Sequence, residues 1–219
     1  MMEDDWLITR AKEHDAPVLL LAHGAGAGMD APFLERISAL LAARGITVAR
    51  FNFNYMARAR AAGKKRAAPP RAERLMEEFR ARVKALADAL SFPPARLFIG
   101  GKSMGGRVAS MLADDLFAAG EIAGLVCLGY PFHAPGRPQR LRIDHLRALR
   151  CPALICQGER DPFGTRAEIA PLELSPAITF CWLPDGDHDL KPRVKSGESW
   201  GGNLQQAADC CAAFMAGSG

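Results

Sequence analysis

Ile99-Gly100-Gly101-Lys102-Ser103-Met104-Gly105-Gly106 is the stretch whose reading decides the rest of the chain. A β-rich run, Arg96 to Ile99, leads into it, and a helical run, Arg107 to Ala119, leaves it. Gly101, Ser103 and Gly105 fit G-x-S-x-G, the pattern of a strand-to-helix turn that holds a serine hydroxyl out at the top of a sheet. The serine of such a turn takes a strained backbone conformation, and side chains at its flanks would collide with neighbouring elements. The following helix brings free N–H groups and the positive end of its dipole to the place where an oxyanion would form. A phosphate-binding loop is the rival for Gly101-Lys102-Ser103, but G-x-x-x-x-G-K-[ST] needs a glycine where Arg96 stands. That rival fails. An ordinary serine on a Gly-rich turn is the other rival, and only partners elsewhere in the chain exclude it.

Apolar runs recur on both sides of this turn. Val18 to Ala22, Ile46 to Phe51, Gly124 to Tyr130, Pro152 to Gln157 and Ile178 to Leu183 have the unbroken hydrophobicity of strands buried on both faces, and Trp6 to Arg10 suggests a short first strand. Helical stripes alternate with them: Phe33 to Leu41, with Asp30 as N-cap and Gly45 as stop, Arg71 to Leu90, and Leu204 to Met215. Shorter helical pieces are expected over Asp144 to Leu149 and Arg166 to Leu174. Asn52 to Pro70 reads as a long basic loop, Pro131 to Pro138 as another loop, and Pro93-Pro94 as a chain stop before the serine strand. Strands alternating with helices predict an α/β fold with a mostly parallel sheet and helices on both faces. In such sheets the site lies beyond the carboxyl ends of the strands.

The 219 residues suit one domain, spanning 1–219, with a substantial core. No apolar run approaches the roughly 20 residues of a membrane span. Met1 to Asp5 is acidic where a secretory leader is basic, so a cytoplasmic location is expected. Cys127, Cys156 and Cys181 lie in apolar runs as small hydrophobes, Cys151 precedes a strand, and Cys210-Cys211 sit in the last helix. No spacing matches a metal site or a disulfide framework, so neither a structural zinc nor a disulfide framework is expected, and the serine chemistry argued below needs no metal or organic cofactor. The net charge of +4 is modest, with basic residues crowded between Arg58 and Lys84. That crowding lacks interleaved aromatics and falls largely on the polar face of a helix, so a solvated face is preferred to a nucleic-acid surface.

A serine hydroxyl needs a base, and the base needs a carboxylate to orient it. Asp161 follows the run ending at Gln157, and His188 follows the run ending at Leu183. Ser103, Asp161 and His188 therefore all fall in loops after strands, in the order serine, acid, histidine. Among the other histidines, His14 and His145 lack a strand-end context and are expected at the surface. His23 suits an oxyanion loop, and His133 could line the pocket. Asp185, Asp187 and Asp189 lie too near His188 to orient it, and Asp187 reads as a loop-shaping turn residue. The N–H groups of Met104 and Ala25 are the candidate oxyanion donors, with Gly24, Lys102 and His133 as candidate substrate contacts. A dinucleotide loop starting at Gly24 would need its third glycine where Met29 stands, and that reading also fails.

His23-Gly24-Ala25-Gly26-Ala27-Gly28-Met29, Gly101 to Arg107, Gly129-Tyr130-Pro131-Phe132-His133, Gln157 to Gly164 and Gly186-Asp187-His188 together resemble the α/β-hydrolases. Within that superfamily the chain is similar to the small dienelactone-hydrolase-like group that includes the KANL/Tex-type proteins and their bacterial relatives. The resemblance implies an α/β-hydrolase fold with Ser103, Asp161 and His188 as a triad. The chain departs from the superfamily's larger enzymes in having no insertion large enough for a full lid, so little or no lid is expected. It implies no particular substrate; an open site would suit small or short-chain acyl compounds. Hydrolysis of an ester, thioester or related acyl bond is the expected activity, with a small-molecule substrate and no nucleic-acid or membrane partner. Acyl transfer to an acceptor other than water would use the same residues. The alternative is a binding module with a vestigial triad, docking an acidic partner on the Arg58 to Lys84 surface.

Overall fold

The computed structural model describes residues 6–13, 15–64, 67–90 and 96–217. Expectations for Met1 to Asp5, His14, Lys65, Arg66 and Pro93-Pro94 lie outside them. Among the described residues seven strands form one sheet: β1 (Trp6–Thr9), β2 (Val18–Ala22), β3 (Thr47–Phe51), β4 (Leu97–Lys102), β5 (Gly124–Leu128), β6 (Ala153–Gly158) and β7 (Ile178–Leu183). Their order is β1-β3-β2-β4-β5-β6-β7. Only β1 runs antiparallel to its neighbour, β3; the other pairings are parallel. The helices are α1 (Pro32–Ala42), α2 (Asn54–Ala61), α3 (Met76–Leu90), α4 (Met104–Ala118), α5 (Asp144–Arg147), α6 (Arg166–Ile169) and α7 (Trp200–Gly217).

The pleat explains why the strand runs carry no polar alternation. In β2, Val18, Leu20 and Ala22 join a core with Phe79 and Val83 of α3 and Val108 and Leu112 of α4. Leu19 and Leu21, on the other face, join Phe33 and Ile37 of α1 and Leu204 and Cys211 of α7. Both faces need apolar side chains because both are covered. Each fully buried leucine contributes roughly 2 kcal/mol.

Several boundaries move. Residues 54–61 are helical, not loop, because Ala-rich sequence favours helix and Met56 and Ala59 find buried positions. α4 begins at Met104, immediately after the serine, and β4 extends through Lys102. α6 stops at Ile169, well short of Leu174, after a capping box between Thr165 and Glu168. Asp30 does not cap α1; Ala31 is the N-cap residue, and the Asp30 carboxylate pairs with Arg60. His145 is half-buried, with Nε2 at 2.9 Å from Ser110 Oγ.

Cys181 and Cys210 form a disulfide between β7 and α7, which corrects the reading of Cys181 as a small buried hydrophobe and the expectation drawn from cysteine spacing. The partners stand 29 residues apart, and only the packing of α7 beside the edge strand brings them together. Cysteine usage therefore gives no argument for a reducing compartment. Cys127, Cys151, Cys156 and Cys211 are buried thiols. No helix among the described residues is long and apolar enough to cross a membrane.

Candidate active site

The parallel register sets the strand ends level. Ala22 pairs with Gly101, Lys102 with Leu128, and Gly158 with Leu183. The segments that follow carry His23 to Ala25, Ser103, Asp161 and His188, so all of them gather at one rim of the sheet.

Ser103 has φ 53° and ψ −116°, a region that costs a non-glycine residue on the order of 1–3 kcal/mol. Its N–H donates to Leu128 O at 3.0 Å, and its carbonyl accepts from Arg107 N at 3.0 Å. The flanking glycines allow β4 and α4 to meet. A Cβ on Gly101 would lie 2.5 Å from Gly106 N, and one on Gly105 would lie 2.6 Å from His23 O. Both contacts are with backbone, which has nowhere to go.

His188 Nε2 lies 2.8 Å from Ser103 Oγ, and its Nδ1 lies 2.8 Å from Asp161 Oδ2. Asp161 is fully buried, so its charge is met by hydrogen bonds. Phe163 N donates to Oδ1 at 2.8 Å, and Gln157 Nε2 donates to Oδ2 at 2.9 Å. Gln157 is a site residue that the strand-end rule for Ser103, Asp161 and His188 does not reach, because it lies inside β6. Its Oε1 also accepts from Tyr130 N at 2.7 Å, tying the end of β6 to the segment after β5. A glutamine inside an otherwise apolar strand, four residues before the acid, was the available signal. The His188 loop is held by Asp187, whose Oδ1 accepts from Asp189 N and Lys191 N, each at 2.9 Å. Asn203 of α7 donates to Pro184 O and Leu190 O at 3.0 and 2.8 Å. Phe163 packs its ring on the imidazole of His188, centroids 4.1 Å apart.

The loop after β2 is organised by His23. Phe53 N donates to His23 Nε2 at 3.1 Å, so that nitrogen carries no proton. Nδ1 therefore holds the proton and donates to Gly24 O at 2.7 Å. Burial pushes the imidazole pKa down to about 4, so the ring stays neutral. A Cβ on Gly24 would be 3.6 Å from Ser103 Cβ, which sets the Gly24-Ala25 segment beside the serine. Met104 heads α4, so its N–H has no intrahelical acceptor.

Two cavities meet at Ser103. One, of about 510 Å³, is lined by Gly24, Ala25, Phe33, Leu34, His188 and Trp200, with Lys102 among its other walls. The second, of about 560 Å³, shares Ala25, Ser103 and Phe163 and adds Met104. Gly24 and Lys102 thus line a cavity at the serine, but the Lys102 amine is already engaged. Its Nζ donates to His188 O at 2.7 Å and lies 3.3 Å from Asp189 Oδ1, over the ring of Phe33. Burial draws this ammonium below the usual lysine range, with Asp189 and Asp161 opposing. His133 lines neither cavity, against expectation. It is buried, its Nδ1 donates to Ala134 O at 2.9 Å, and its backbone N–H donates to Phe163 O. Parts of the basic stretch also find acids or rings: Arg60 pairs with Asp30, Arg80 with Asp115, and Arg82 lies over Trp6 and Phe51.

Residues 15–216 match the model of a family described as an alpha/beta hydrolase domain. The chain belongs to the α/β-hydrolases. Solved structures share the fold at low identity. An alpha-beta serine hydrolase homologue from Coxiella burnetii is 18% identical with a TM-score of 0.67, over 95% of this chain and 89% of that one. A dienelactone hydrolase from Anabaena variabilis is 16% identical with a TM-score of 0.71, over 97% and 90%. A serine hydrolase without lid from Xanthomonas campestris is 21% identical with a TM-score of 0.62, over 85% and 80%. At these identities the likeness is one of fold. This α/β-hydrolase also has no substantial cap between β5 and β6, where the described helix is the four-residue α5.

Proposed function

We propose that residues 1–219 form one catalytic domain, a carboxylesterase-like serine hydrolase that cleaves an ester, thioester or related acyl bond of a small substrate. The observation that carries this is the unbroken relay from Asp161 through His188 to a serine in a strained conformation. A scaffold has no physical use for that strain or for a buried carboxylate aimed at a histidine.

In this reading Ser103 Oγ attacks the carbonyl carbon as His188 Nε2 takes its proton, forming a C–O bond and a tetrahedral oxyanion. Asp161 holds the tautomer that leaves Nε2 free and stabilises the imidazolium. The N–H groups of Met104 and Ala25 receive the oxyanion. The bond to the leaving group then breaks, and the leaving group takes the proton from Nε2. Water, deprotonated by His188, attacks the acyl-enzyme and releases Ser103 with a carboxylic acid.

The test is labelling with a fluorophosphonate probe, read by peptide mass spectrometry, together with turnover of simple nitrophenyl esters. The adduct is expected on Ser103 and should be suppressed in His188→Ala. Ser103→Ala should lower kcat by about three orders of magnitude or more with the fold retained. A folded protein whose Ser103 stays unlabelled would move the binding-module alternative ahead.

A further inference from the structure

The second cavity at Ser103 has a charge that hydrolysis of a neutral ester does not use. Arg71, Arg107 and Arg142 line it, and Glu73 is the one carboxylate among its described lining residues. Three guanidinium charges against one carboxylate leave two in excess. Glu73 Oε1 accepts from Arg107 Nη2 at 2.8 Å, yet Arg107 Nε is buried with no hydrogen-bond partner. Arg142 has no carboxylate in ion-pair reach among the described residues, and its side chain is half-buried. Burial, and then the charge of Arg107, hold the Arg142 guanidinium below its usual range. Like charges sharing a partly desolvated wall are a cost that a bound anion would relieve.

The first cavity is different in kind. Pro32, Phe33, Leu34 and Trp200 give it an apolar wall. The two cavities join at Ser103, so a substrate reacting there has one arm in each. His188 lines the apolar cavity and not the arginine-lined one. The leaving group must accept the proton on His188 Nε2, so it departs on the apolar side, and the acyl arm lies towards the arginines.

We propose that the cavity lined by Arg71, Arg107 and Arg142 is an anion subsite, and that the substrate is an ester or thioester whose acyl arm ends in a carboxylate. This rests on the hydrolase reading given above. Arg142 is the anchor, since Arg107 is shared with Glu73 and Arg71 is exposed.

The test compares 4-nitrophenyl hydrogen adipate with 4-nitrophenyl methyl adipate, which differ in the terminal charge of the acyl arm. Nitrophenolate release should give a kcat/KM about tenfold higher for the anionic ester, as expected for a charge-assisted contact. That ratio should fall towards one in Arg142→Gln, recover in part in Arg142→Lys, and shrink with added salt. Equal kcat/KM for the two esters in the unmutated protein overturns the subsite and leaves the hydrolase reading standing. If neither ester is cleaved and Ser103 takes no fluorophosphonate, the hydrolase reading is the one that fails. Adipate binding by titration calorimetry then decides the subsite. Binding that is lost in Arg142→Gln upholds it; no binding, or binding equal in both proteins, overturns it.

Discussion

His23 shows how a single buried side chain couples the site to pH. Its imidazole titrates near 6.5 in the unfolded chain and about 4 in the fold, because burial disfavours the cation. Above pH 6.5 both states are neutral and its contribution is complete. As pH falls from 6.5 towards 4 only the unfolded chain takes up the proton, so stability declines, by on the order of 3 kcal/mol in total. Below about 4 this contribution levels off. Urea unfolding from pH 7.5 to 4.5 should therefore show a stability gap between the protein and His23→Gln that narrows with acid; a pH-independent gap would contradict it. Gln157 is the second residue that matters beyond the proposed triad of Ser103, Asp161 and His188. Gln157→Leu leaves Tyr130 N without its acceptor and takes one donor from Asp161. Denaturation should report a loss of about 2 kcal/mol from the buried unpaired groups. Ester turnover should fall about tenfold in kcat as His188 loses a firmly held carboxylate.

The junction of β4 and α4 depends on backbone contact that a methyl group would block. Gly105→Ala would drive its Cβ to within 2.6 Å of His23 O and 2.7 Å of Ala22 O. Those atoms belong to β2 and its loop, so the substitution would part α4 from the Gly24-Ala25 segment proposed to receive the oxyanion. A destabilisation of about 3 kcal/mol is expected, with activity lost beyond what unfolding explains. Gly26→Ala is the control, since its Cβ would meet nothing within 4 Å. Its unfolding midpoint should stay close to that of the unmutated protein. The disulfide between β7 and α7 belongs to this level too: it ties the edge strand to the helix whose Asn203 and Trp200 hold the His188 loop.

At the scale of the whole molecule, the described residues place no deep apolar cover over the strand ends, and on the hydrolase reading this limits the substrate. The two cavities at Ser103 are of about 510 and 560 Å³ and only one has a mainly apolar wall. A long acyl chain would have to lie against guanidinium groups or in water, and neither gains the free energy of burial. For 4-nitrophenyl esters kcat/KM should be highest with short acyl chains and fall towards dodecanoate. A rise along that series would require apolar cover that the described residues do not supply.

Local chemistry made much of this legible. Runs such as Val18 to Ala22 declare strands covered on both faces, and alternation with helical stripes declares a parallel sheet, because those patterns follow from the periods of strand and helix. G-x-S-x-G carries its own steric logic, and the order of Ser103, Asp161 and His188 after strand ends rests on the rule that sites form at carboxyl edges. The helix over 54–61 was written in Ala-rich sequence, but its basic residues and closing prolines resembled a loop. Tertiary structure alone decided which side chains meet. Gln157 tying Tyr130 to the acid's end of β6, Lys102 turning to the His188 carbonyl, the His133 N–H reaching the Phe163 carbonyl, and Cys181 finding Cys210 are all contacts between separate elements. Their partners depend on how sheet twist and helix packing set distances across the fold, which no local pattern of residues encodes.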